Sequence, residues 1–129
     1  YGIKAGAVAL SIAHDSHNII VVGVSDEEME FAVNSLIAQE GGMVLVKEGK
    51  VIESMPMPIA GLMSDQSGEW VDEKLTAIHA KAYEELGIAG DVEPVMTLCF
   101  MSLAVIPEVK LTDMGLFDVT TFSFIPVEA

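Results

Sequence analysis

Two apolar runs separated by only five polar residues set the first constraint on this chain. Val8, Leu10 and Ile12 alternate with Ala7, Ala9, Ser11 and Ala13. That period of two marks a strand with one small-residue face, against which a helix or second layer can pack closely. After His14, Asp15, Ser16, His17 and Asn18, residues 19–24 form a continuous apolar run, as in a buried strand. Strands joined by so short a connection pair antiparallel, because a parallel pair needs a crossover of about a dozen residues or more.

The same reading extends along the chain. Ser25 and Glu28 form a capping-box pattern with Asp26 and Glu27 between them, and Met29, Ala32, Val33, Leu36 and Ile37 follow at helical spacing up to Gly41 and Gly42. Residues 43–47 and 50–55 are expected as strands around Glu48 and Gly49, after which Pro56 and Pro58 block ordinary pairing. Val71, Leu75, Ile78, Ala82 and Leu86 mark a second helix ending at Gly87. Residues 95–106 are apolar and read as a strand, 111–116 as a turn, and 119–125 as a last strand with Phe122 and Phe124 on one face. The expected class is α+β: a mostly antiparallel sheet of about six strands with two main helices packed on one face of it, residues 1–129 forming a single domain.

Charge narrows the function classes. The chain carries 20 acidic residues against six basic ones, all lysine, for a net charge of −14. A nucleic-acid surface needs clustered cations, so no nucleic-acid partner is expected, and without arginine there is no bidentate clamp for phosphate. No apolar run reaches the ~18 residues of a membrane span, and the N-terminus lacks a signal-peptide layout. The lone Cys99 fits a reducing compartment, so a cytoplasmic location is expected. Because the chain begins at Tyr1 it reads as a fragment.

Residues 14–18 are the densest polar cluster. Imidazoles ligate metals and move protons near neutral pH. His14 and His17 would point apart on a strand, however, and a metal would need a further ligand from elsewhere. A polar turn, a substrate- or interface-facing loop and a metal site all remain open. Ser16 with Asp15 and His14 or His17 supplies the residue types of a hydrolytic triad, but neighbours in sequence rarely reach that geometry. Cys99 is expected buried and inert in mid-strand, and His79 partly exposed beside a helical stripe. Residues 58–65 are unusually apolar for a loop, as in a covered connection or an interdomain contact. The methionines, Met55, Met57 and Met63 among them, are core fillers or adaptable partner contacts.

Three segments together resemble one family. Ala13-His14-Asp15-Ser16-His17-Asn18-Ile19, then Pro58-Ile59-Ala60-Gly61-Leu62-Met63-Ser64-Asp65, then Met96-Thr97-Leu98 with Val105-Ile106-Pro107-Glu108 and Lys110-Leu111-Thr112-Asp113 are similar, in order and spacing, to the C-terminal domain of bacterial adenine deaminase. The resemblance implies a cytoplasmic enzyme of the amidohydrolase superfamily, serving purine salvage and adenine catabolism, that hydrolyses adenine to hypoxanthine and ammonia. It implies manganese or iron in the full-length enzyme, activating the attacking water, with ligands from a (β/α)₈ barrel and an H-x-H motif. This sequence has no H-x-H, and a barrel needs about 200 residues or more.

The resemblance thus implies a domain that follows the barrel, holds no metal itself, and has the missing catalytic barrel as its partner. His14, Asp15, Ser16, His17 and Asn18 are the substrate-pocket or interface candidates, with no residue assigned a catalytic role. A first strand near an edge left open by truncation is expected, and self-association into a homo-oligomer through either this edge or the exposed interdomain face. The alternatives are a stand-alone small-molecule or metal-binding module of the same fold, and a small hydrolase using His14, Asp15 and His17.

Overall fold

A computed structural model describes residues 1–128. The first two strands, β1 (Ala7–Leu10) and β2 (Ile20–Gly23), pair antiparallel as their short connection requires, with Ala7 opposite Gly23 and Leu10 opposite Ile20. β1 stops short of Ile12 because Ser11 turns its hydroxyl into a junction. Ser11 Oγ accepts from Gly42 N–H at 2.7 Å and donates to Gly61 O at 2.5 Å.

Helix α1 (Asp26–Ala38) starts on Ser25, whose hydroxyl accepts from Glu28 N–H, and its first turn holds Asp26, Glu27 and Glu28, where the helix dipole favours negative charge. No basic residue closes its last turn. Instead the Gln39 side-chain amide donates to Gly41 O and Met43 O. The hairpin β3 (Gly42–Lys47) and β4 (Lys50–Pro56) turns on Glu48 and Gly49, both with positive φ, the signature of a tight two-residue hairpin.

The four strands lie in the order β2-β1-β3-β4, all antiparallel. This corrects the expectation of an open edge at the first strand. β1 is interior, hydrogen-bonded on both sides, and the edges are β2 and β4. The reason is α1, which carries the chain over the sheet and returns β3 to the free side of β1.

Helix α2 (Gly68–Glu84) and the short α3 (Pro94–Cys99) complete the packing. Ala7, Ala9, Val44 and Val46 meet Ala32 and Leu36 of α1 on one face. Val8, Leu10, Leu45 and Met55 meet Ile78, Ala82, Val95 and Leu98 on the other. The helices therefore sandwich the sheet instead of sharing one face. Alternation in β1 and β3 demands this, since both faces of each strand are apolar and each must be covered.

Residues 95–106 are not a strand. Glu93 caps α3 through its carboxylate on Met96 N–H, and Pro94 occupies the first turn, where its missing N–H costs nothing. Cys99 is accordingly the last residue of a helix, not mid-strand. Residues 111–116 are not merely a turn either. They belong to the hairpin β5 (Val109–Thr112) and β6 (Gly115–Asp118), and β7 (Ser123–Ile125) adds a third strand. β7 is shorter than expected because the Asp118 carboxylate accepts from the N–H groups of Thr120 and Thr121 and from the Thr121 hydroxyl. That network holds residues 119–121 in a turn. Phe122 precedes the strand and, like Phe124, meets Phe117 edge-on at 5.2 Å. The α+β class holds, with seven strands in two antiparallel sheets and three helices among the described residues.

Glu53 ties sheet to helix through two ion pairs. Glu53 on β4 receives Lys74 Nζ at 2.8 Å and Lys81 Nζ at 3.3 Å. Burial pushes its carboxyl up, but hydrogen bonds from Lys74, the Ser54 N–H and Lys81 outweigh this and hold it below the usual range. A carboxyl depressed on folding adds stability above its unfolded value of about 4.3, and that stability is lost as pH falls through the folded value. Glu53→Gln is expected to cost about 1–2 kcal/mol near neutral pH and less at about pH 3. Thermal melts of both proteins at the two pH values check this; an undiminished gap in acid would show that the charge is irrelevant.

Candidate functional site

The polar connection between β1 and β2 is clamped by α3. His14 N–H donates to Cys99 O at 2.9 Å, and the Cys99 thiol donates to Ile12 O at 2.7 Å. Burial pushes that thiol up, with partial relief from the His14 backbone, so Cys99 serves as a buried donor and not as a thiolate nucleophile. Within the loop, His17 N–H closes on Ala13 O at 2.6 Å, Ser16 Oγ donates to Asn18 Oδ1 at 2.5 Å, and Asn18 Nδ2 donates to Ile19 O.

The five candidate residues divide by direction. Asp15, Ser16 and Asn18 line an open hollow of about 290 Å³, whose other polar walls are Ser102, Thr112 and Asp113. His14 instead stacks on Phe100, ring centroids 5.5 Å apart. His17 is exposed, in the left-handed backbone region at φ 50°. Ser16 is bonded to Asn18 and to neither imidazole, so the loop builds no Ser-His-Asp relay. His79 lies on α2, bonded to Glu93 and partly exposed.

The hollow collects acceptors. Asp15 and Asp113 bring carboxylates, Asn18 an amide and Thr112 a hydroxyl, and no lysine lies in its wall. Such a rim suits a ligand or partner that presents N–H groups. Ser102 contributes a further signal: it is buried, and its hydroxyl has no hydrogen-bond partner, although buried polar atoms are nearly always paired. Among the described residues no group of three or more His, Cys, Asp and Glu is placed to hold a metal ion. This chain's donors therefore do not fit the metal that the resemblance implies for the full-length enzyme.

Ser102, Thr112 and Asp113 were not legible as site residues. Ser102 sits inside an apolar run that read as a strand. Thr112 and Asp113 stood out only as part of a string resembling the family. Residues 58–65 form a small exposed turn in which Ile59 and Met63 exchange backbone hydrogen bonds, both side chains facing solvent; this segment is not a covered connection. Met55 and Met57 are buried in the core, while Met63 is exposed.

The family described as adenine deaminase C-terminal domain matches residues 1–123. The chain belongs to that family. Adenine deaminase 2 of Desulfotalea psychrophila is 75% identical over 129 residues, covering all of this chain and 22% of that protein. The adenine deaminase of Halalkalibacterium halodurans is 53% identical over 125 residues, covering 97% of this chain and 21% of that protein. That of Bacillus subtilis is 47% identical over 128 residues, covering 99% and 22%. The chain thus spans about a fifth of the length of the curated adenine deaminases it matches, and most of each relative lies outside the matched region. No helix among the described residues is long and apolar enough to cross a membrane.

Proposed function

We propose that residues 1–129 are the C-terminal domain of an adenine deaminase, a hydrolase that converts adenine to hypoxanthine and ammonia, and that the hollow beside residues 14–18 borders its substrate pocket. The observation that carries the first part is the match of nearly the whole chain to this domain family, at about 22% of the length of relatives named adenine deaminase. The second part is supported by the acceptor-rich rim of Asp15, Asn18, Thr112 and Asp113. Adenine presents an exocyclic amino group and a ring N–H, and acceptors beside its pocket would orient both. In this reading the metal, manganese or iron, is held by the remaining polypeptide, where it would activate water, and the present chain supplies a wall.

The loop suits such a task because its backbone is fixed at both ends, by the β1–β2 ladder and by α3. Side chains on a rigid support hold geometry better than those on a free loop. In the full-length enzyme, Asp15→Ala and Asp113→Ala are each expected to lower kcat/KM by about tenfold or more, equivalent to ~1.4 kcal/mol. Both carboxylates are exposed, so Tm should hardly move. Full activity in both variants, or activity lost only through unfolding, would reduce the loop to a structural turn.

A further inference from the structure

We propose that the open apolar face of the β5–β6–β7 sheet, with the furrow between it and β2, is the seat on which the preceding part of the whole adenine deaminase polypeptide docks. The inference rests on the domain assignment above and adds where the contact lies.

The sheet is under-covered. Leu111, Leu116 and Ile125 share one face through the strand register, which α3 approaches across a furrow, through Leu98. Leu111 is 56% exposed, and Met114, in the turn that joins β5 to β6, is three-quarters exposed; Phe122 and Phe124 stand on the opposite face beside Phe117. Among the described residues, nearly half of the large exposed apolar side chains fall in residues 105–127. A three-stranded sheet gains independent stability only by burying a face, and a contiguous apolar surface of this kind marks an interaction site.

The furrow continues that surface. It has a volume of about 280 Å³ and is walled by Ile20, Val22, Leu98, Met101, Leu111 and Leu116. β2 is an edge strand, so its outer backbone has no strand partner. Lys110 also lines the furrow and is 93% buried. Its ammonium reaches only the carbonyls of Pro107 and Val109, at 3.5 and 3.4 Å, and pairs with no carboxylate among the described residues. A buried cation held so loosely favours a covering segment that brings an acceptor with its apolar side chains.

The occupant follows from what lies outside the chain. The relatives carry most of their length beyond the matched region, and the match is to their C-terminal domain. Tyr1 donates its hydroxyl to Pro94 O at 2.5 Å, at the start of α3. Leu98, near the other end of that helix, walls the furrow. The first residue of the matched domain thus packs on the helix that also walls the furrow. A second copy would instead bring another net charge of −14 onto the same surface, which opposes association.

The test uses the whole enzyme with a cysteine placed at Leu111→Cys, Met114→Cys or, as reference, Ile37→Cys on α1, which is 58% exposed here. Maleimide labelling is read by peptide mass spectrometry on the monomeric fraction. Labelling at Leu111→Cys and Met114→Cys at least tenfold slower than at Ile37→Cys is the expected result. Equal rates overturn the proposal, as does protection seen only in self-associated protein and lost on dilution, which assigns the face to a second copy. Should Leu111→Cys fail to fold, Met114→Cys decides alone, since its side chain lies in an exposed turn. Adenine hydrolysis is assayed on the same samples. Protection without deamination would sink the functional reading and keep the seat; deamination with equal labelling would do the reverse.

Discussion

The 129-residue chain alone is expected to release no measurable hypoxanthine from adenine, even with manganese or ferrous iron supplied. The routes through Ser16, Cys99 and His14 are each closed by a specific contact. Ser16 is bonded to Asn18 and so has no base to activate it. The Cys99 thiol donates to Ile12 O and is pushed away from the thiolate by burial. His14 is stacked on Phe100, and no three donors converge on a metal position among the described residues. What remains is an acceptor-lined hollow, which can position a ligand but supplies no activated nucleophile. Enzymes of ordinary competence turn over at about 10 s⁻¹, so the isolated chain should fall below its whole-enzyme counterpart by at least about 10⁴-fold. Chromatographic detection of hypoxanthine measures this, and turnover near 1 s⁻¹ would overturn the assignment of the chemistry to the rest of the polypeptide.

The second large effect concerns Gly42, the first residue of β3. Its φ is +107°, and a β-carbon there would sit 2.0 Å from Met55 O and 2.9 Å from Met57 N. Both obstacles are backbone, so relief requires breaking the β3–β4 ladder where Gly42 faces Pro56. Gly42→Ala combines a strained dihedral with overpacking, each costing about 1–3 kcal/mol. A total of about 3–5 kcal/mol corresponds to a fall in Tm of roughly 10–20 °C for a chain of this size. Gly49 supplies the control. Its φ is also positive, +68°, but nothing lies within 4 Å of the added atom. Gly49→Ala should therefore cost only the dihedral term, about 1–2 kcal/mol. Equal losses in the two variants, measured by thermal melts, would show that crowding plays no part.

The N-terminal half was legible because its residues leave little choice. Ser25 with Glu28, the alternation through Val8 and Leu10, and Glu48 with Gly49 each have one inexpensive conformation, and local and tertiary preferences agree. The C-terminal third was not. Residues 95–106 are apolar without a clear period, and a short apolar run fits a buried strand or a buried helix equally. Glu93 and Pro94 start the helix there, a signal outweighed by the apolar residues after them. The Thr112–Gly115 hairpin hides because its strands are short and leave much of their apolar surface open to solvent, so burial does not shape a pattern. Of the site, residues 14–18 were evident as an interruption between strands. The direction of each side chain was not, because it depends on α3 clamping the loop from residues more than 80 positions away.

The placement of α1 on the alanine side of β1 has a consequence for how this sequence can drift. Ala7, Ala9 and Gly23 form the seat of that helix; a β-carbon on Gly23 would come within 2.6 Å of Met29 and 2.7 Å of Ala7. On the opposite face Val8, Leu10, Leu45 and Met55 fill a space measured in whole side chains. There, one hydrophobe can replace another of similar volume with a neighbour adjusting in turn. On the α1 side, Ala7, Ala9 and Gly23 are already at or near the smallest available, so almost every change at these positions enlarges them. One face of the same strand is thus open to exchange, while the other behaves as a hard stop that sets the distance between layers.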